Sequence, residues 1–92
     1  MKTEEKLSSP VKVRMKRERF SEQEARSKIG RMVRSLVDIS TIPRGTRGTV
    51  VHIDEIEPGG FEVVVEWERA GWSTPDHDWF NKDAFLQCLT EE

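Results

Sequence analysis

Four runs of β-branched and aromatic residues, separated by turns rich in glycine or proline, decide what this chain can become. The first, Met32-Val33-Arg34-Ser35-Leu36-Val37, is dense in strand formers. Beyond it lies Ile42-Pro43-Arg44-Gly45-Thr46-Arg47-Gly48, where proline fixes one residue and two glycines free others, so the segment reads as a loop with a tight turn. Thr49 to Asp54 is a second strand. Glu57-Pro58-Gly59-Gly60 is a strong hairpin turn, and Phe61 to Trp67 follows as a third strand with residues 61, 63, 65 and 67 on one face. Arg69 to Asp78, with Gly71, Ser73 and Pro75, reads as a loop before a short fourth strand, Asp78-Trp79-Phe80. Short strands joined by such turns predict a mainly β domain, either a small antiparallel barrel or a strongly bent sheet.

Helical segments flank these strands. Ser21-Glu22-Gln23-Glu24 has the pattern of a capping box, acids open the first turn, Arg26 and Lys28 close the last, and Gly30 is a stop. The helix expected over about 21–29 is too short to stand alone, so Phe20 and Ile29 are expected to dock on the body. Asn81 can cap a helical turn over 82–89, with Phe85, Leu86 and Leu89 facing inward. A chain of 92 residues has room for one core. Val33, Leu36, Val50, Ile53, Phe61, Val63, Val65, Phe85 and Leu89 are expected to carry it.

Charge divides the chain differently. Residues 1–34 hold eleven basic and five acidic residues, a net of +6, whereas residues 35–92 hold four basic and twelve acidic, a net of -8. Residues 1–20 carry Pro10, paired serines and few apolar side chains, too little burial to offset their ordering entropy. They read as a flexible basic arm, with room for a short extended stretch where Val11, Val13 and Met15 alternate with Lys12, Arg14 and Lys16. Residues 21–92 read as a single small domain that includes the preceding helix. The longest apolar run is Val63-Val64-Val65, so no membrane-spanning helix is expected, and the first 34 residues lack the apolar core of a signal peptide. A single cysteine, Cys88, allows no internal disulfide. The expectation is a cytoplasmic monomer.

One resemblance emerges from these residues. Ile42-Pro43-x-Gly45-Thr46-x-Gly48-Thr49-Val50, then Val63-Val64-Val65-x-Trp67, then Trp79-Phe80, resembles the Src-homology-3-like barrels, over residues 31–89. The resemblance implies a barrel and a module-like role. It names no ligand, since members of that superfamily bind peptides, bind nucleic acids or dock onto larger enzymes. One departure is a helical segment after Phe80, where such a barrel places a fifth strand. Another is the lack of tyrosine, which the proline-peptide binders of this type display on their surface.

Few side chains suggest chemistry. Asp76-His77-Asp78 is dense in metal-ligand types, but without paired histidines or Cys-x-x-Cys spacing it reads as a polar turn, and no metal or cofactor is expected. Cys88 has no orienting third group or anion hole, so it reads as a small core residue and no catalytic residue is expected. Arg44 and Arg47 flank a glycine turn that lacks Walker spacing; the turn reads as backbone geometry, with anion binding as its alternative. Trp72 sits in a loop, and with Asp76, His77, Asp78 and Trp79 it can line an acidic, aromatic groove for a basic or proline-containing segment of another protein. Lys12, Arg14, Lys16, Arg17 and Arg19 form a basic stripe that suits phosphate backbones.

Two function classes follow. The preferred one is a non-enzymatic module that binds another protein through the acidic, tryptophan-bearing surface. The alternative is a nucleic-acid-binding accessory factor that uses residues 11–34, and a third reading is a small subunit or assembly factor of a larger enzyme.

Overall fold

A computed structural model describes residues 19–68 and 76–92. The arm residues before Arg19, including the alternating Val11–Lys16 stretch, and the loop residues around Trp72 lie outside the described residues. Ser21 caps helix α1 (Glu22–Lys28): its hydroxyl accepts from the Glu24 amide, and the Glu24 carboxylate accepts from the Ser21 amide in return. The capping box therefore forms as its pattern predicts. Phe20, just upstream, is already part of the folded body. It is buried, it accepts the Phe61 amide at 3.0 Å, and its ring meets Phe85 edge-on at 5.6 Å. Ile29 does not dock. It is 44% exposed, and α1 seals the core with Ala25 instead.

Five antiparallel strands form one sheet in the order β4-β3-β2-β1-β5. They are β1 (Met32–Ser35), β2 (Arg47–Glu57), β3 (Gly60–Trp67), β4 (Asp76–Phe80) and β5 (Leu89–Glu91). The long β2–β3 hairpin turns at Pro58 and Gly59, where Gly59 takes φ +77°, a region that favours glycine. Gly48 on β2 has a different constraint: a Cβ there would come within 2.6 Å of Val65 and 2.8 Å of Trp67. The sheet is open, with β4 and β5 as its edges.

The second helix, α2 (Lys82–Cys88), is capped by Asn81, which accepts from the Ala84 amide. It stops one residue earlier than expected, because Leu89 turns extended and begins β5. The fifth strand, which the sequence pattern hid behind a helix, is therefore present. Two inward assignments need correcting. Leu86 is 63% exposed, because a helix of only two turns aims one narrow stripe at the core and Phe85 occupies it. Leu36 is 46% exposed, because β1 ends at Ser35 and the chain departs there.

Alternation sorts β3 into two faces. Val63, Val65 and Trp67 join Phe20, Val33, Val50, Phe80, Phe85 and Leu89 in one apolar cluster, with Ile53 and Phe61 partly buried against it. Glu62, Val64 and Glu66 point to the other face. Ser35, the buried polar side chain of the core, is satisfied: its hydroxyl donates to the Pro43 carbonyl and accepts the Thr46 amide. These bonds hold the 36–46 loop against the end of β1.

Candidate functional site

Two clusters stand out, at opposite ends of the sheet. The first lies on the face away from the apolar core. The register sets Trp79 and His77 of β4 opposite Val64 and Glu66 of β3, and His52 and Asp54 of β2 opposite Val64 and Glu62. All seven therefore share one face. The Trp79 indole N–H donates to Asp54 Oδ2 at 2.6 Å. Asp54 belongs to β2 and Trp79 to β4, so the indole lies across the intervening strand, over Val64. Val64, the cross-strand partner of Trp79, is only 1% exposed although it lies outside the apolar cluster, while the tryptophan itself stays 51% exposed. His52 Nε2 stands 3.4 Å from the other Asp54 oxygen, and His77 Nε2 stands 3.8 Å from Glu66. The result is a half-exposed aromatic plate, fixed by a carboxylate and bordered by Glu62, Glu66 and two histidines.

The residues of the expected groove do not all meet here. His77 and Trp79 lie on this face. Asp76 and Asp78 alternate to the other face of β4, where Asp78 accepts the Trp67 indole N–H at 2.8 Å and so serves the core. Trp72 is outside the described residues. The same alternation separates His77 from the aspartates on either side of it. Among the described residues no group of three or more His, Cys, Asp or Glu side chains is arranged to hold a metal ion. Cys88 packs against the core from α2, on the opposite side of the sheet from His52 and His77.

The second cluster is cationic. Arg34 on β1 and Arg47 on β2 are direct cross-strand partners, a like-charged pair that repels on its own. Glu92 bridges them: Arg34 Nε reaches one carboxylate oxygen at 2.6 Å and Arg47 Nε the other at 3.0 Å. Glu91 does the same for Lys28 and Arg31, the latter at 2.5 Å, and the Lys28 ammonium also stands 5.3 Å from the centre of the Phe85 ring. The hydrogen bond from Lys28 holds the Glu91 carboxyl below the ordinary glutamate value of 4.5, with Arg31 adding to it. Arg34, then Arg47, act in the same direction on Glu92.

Of the expected anion-binding residues, Lys12, Arg14, Lys16 and Arg17 are outside the described residues. Arg19 pairs with Glu57 at 2.5 Å, and Arg47 belongs to the Glu92 bridge. Arg44 is exposed, and its backbone amide donates to Asp38. Arg19 also borders a cleft of about 290 Å³ between Ile56 at the hairpin end and Asn81. Neither this cleft nor the two bridged clusters is visible as a local motif, because each joins residues far apart in the chain. No helix among the described residues is long and apolar enough to cross a membrane. Compared with known proteins, the chain matches no family model, no curated protein and no solved structure.

Proposed function

We propose that this chain is a non-enzymatic binding module that engages another protein through the Trp79 face of its sheet. The observation that carries this reading is the half-exposed indole of Trp79, held across β3 by Asp54. A pre-positioned aromatic at the centre of a polar rim is what interface hot spots are made of, because it buries a large area at little entropic cost. The acids Asp54, Glu62 and Glu66 favour a partner segment carrying lysine or arginine. The contribution is contact rather than catalysis, and the chain acts as a monomeric module.

The Src-homology-3-like reading belongs to this proposal. What supports it is β5, which follows α2 and pairs with β1 and so supplies the fifth strand; the open sheet and the lack of tyrosine remain departures from that resemblance.

The test is affinity capture by the full chain and by Trp79→Ala, followed by titration of each retained protein. Proteins held by the unaltered chain and lost with Trp79→Ala support the reading. Identical retention by both chains overturns it. The nucleic-acid alternative is separated by titrating short RNA and DNA at low and physiological salt. Binding that weakens steeply with salt and disappears on deleting residues 1–18, which spares the buried Phe20, favours the basic arm instead.

A further inference from the structure

The cationic end of the sheet has an occupant of its own. β5 pairs with the outer edge of β1 through Val33↔Glu91, Arg34↔Thr90 and Ser35↔Leu89. Leu89 fills a place in the core, Thr90 points to solvent, and the two carboxylates that follow each bridge two cations. We propose that the β1 edge, with Lys28, Arg31, Arg34 and Arg47, is a docking site for an acidic extended segment of a partner protein, and that β5 is the chain's own placeholder in it.

The contacts define that partner. It adds as an antiparallel strand, because the β1 edge offers backbone groups that some strand must satisfy. It carries an aliphatic residue for the Leu89 position, any residue next, and then two acids. A nucleic acid supplies the charges but neither the backbone ladder nor the aliphatic anchor, so an acidic peptide is the better fit. The placeholder is a strand of three residues, the shortest in the sheet. Its ion pairs are partly solvated, with side-chain exposures of 24% to 53%. Such pairs are individually weak, so they are suited to exchange for an equivalent set from outside. Held in cis, β5 keeps most of the edge occupied, and a competing strand binds in proportion to the fraction that is open. Arg34 and Arg47 share the face of Trp79 by register but lie at the other end of the sheet, and the proposal does not rest on the Trp79 reading.

The probe is a fluorescein-labelled peptide ending in Leu-Thr-Glu-Glu. Versions ending in Leu-Thr-Gln-Gln and Leu-Thr-Lys-Lys, and a single-stranded oligothymidylate, are the comparators. Each is titrated into the full chain and into Glu91→Gln/Glu92→Gln, whose own strand is weakened. The variant is expected to bind the acidic peptide at least about tenfold more tightly than the unaltered chain does, by opening the edge. The neutral and basic peptides are expected to bind neither protein, and adding Arg34→Glu and Arg47→Glu to the variant is expected to abolish capture. Failure of the variant to bind the acidic peptide, or equal binding of the neutral one, overturns the proposal. Tighter binding of the oligothymidylate also overturns it, by making the patch a phosphate site. Should the variant lose its dispersed amide spectrum, the unaltered ¹⁵N-labelled chain is titrated with excess acidic peptide. Shifts centred on Val33, Arg34 and Arg47 then support the proposal, and their absence overturns it.

Discussion

The two faces of β3 contain the same residue type, valine, and bury it by different means. On the core face Val63 and Val65 are closed in by rings from distant segments, with Phe20 and Phe85 edge-on to each other and Trp67 edge-on to Phe80. On the other face Val64 is covered by the indole of Trp79, held by Asp54. One face is buried by the fold as a whole, the other by a half-exposed plate that remains available to a partner. The difference teaches that low exposure alone does not identify a core residue.

The largest effect is expected where the core face is opened. Phe85→Ala removes a buried ring, its edge-on contact with Phe20 and the seat of the Lys28 ammonium. A loss of about 3–5 kcal/mol is expected, enough to unfold much of a small domain, and urea denaturation followed by circular dichroism measures it. A loss under about 1 kcal/mol would mean that α2 is not part of the core's closure.

Val63→Ala against Val64→Ala compares the faces directly. Each removes the same atoms, a transfer loss of about 1.6 kcal/mol at about 0.8 per methylene. Val63 is walled by core side chains, so it adds a cavity cost, whereas the Trp79 indole over Val64 can settle into the space. Val63→Ala is therefore expected to cost more by about 1 kcal/mol in denaturant unfolding. Equal losses would erase the distinction between the faces.

How much of this was legible in the chain follows the range of the interactions. The capping box of α1, the hairpin at Pro58 and Gly59 and the alternation of β3 depend on residues within a few positions of one another, and their patterns were readable. β5 was not, since Leu89 continues the helical spacing of Phe85 and only its pairing with β1 makes it a strand. The groove residues Asp76 to Trp79 were identified as a set but divided by alternation, because β4 begins at Asp76, two residues before the strand expected from the aromatic pair. The bridges at Glu91 and Glu92 join positions 45 to 63 residues from their cations, for which no local spacing gives a signal.

Trp79→Ala is a smaller perturbation to stability. It removes one indole N–H bond to Asp54 and the cover over Val64. About 1 kcal/mol is expected, with the fold retained, so that any loss of partner binding reports on the surface. A loss as large as that of Phe85→Ala would make Trp79 part of the core and remove its standing as an available plate.

The smallest effect comes from acid, and it tests whether the charged end of the sheet contributes to stability at all. Glu24 is held below the ordinary carboxylate value chiefly by Lys82, Glu91 by Lys28 and Glu92 by Arg34. A carboxylate with a lowered folded-state pKa stabilises the protein above its unfolded value of 4.5, and that contribution is lost as pH falls through the folded values. The melting temperature should therefore hold steady from neutral pH to about 5 and decline below about 4.5, as protons bind preferentially to the unfolded chain. Glu91→Gln/Glu92→Gln should flatten that decline without removing it, since Glu24 still titrates. Added salt should shrink the difference between the two chains, because these pairs are open to solvent. Identical pH profiles for the two proteins would mean that the bridges at Glu91 and Glu92 contribute nothing measurable. The closure of β1 by β5 would then rest on Leu89 and the backbone ladder alone.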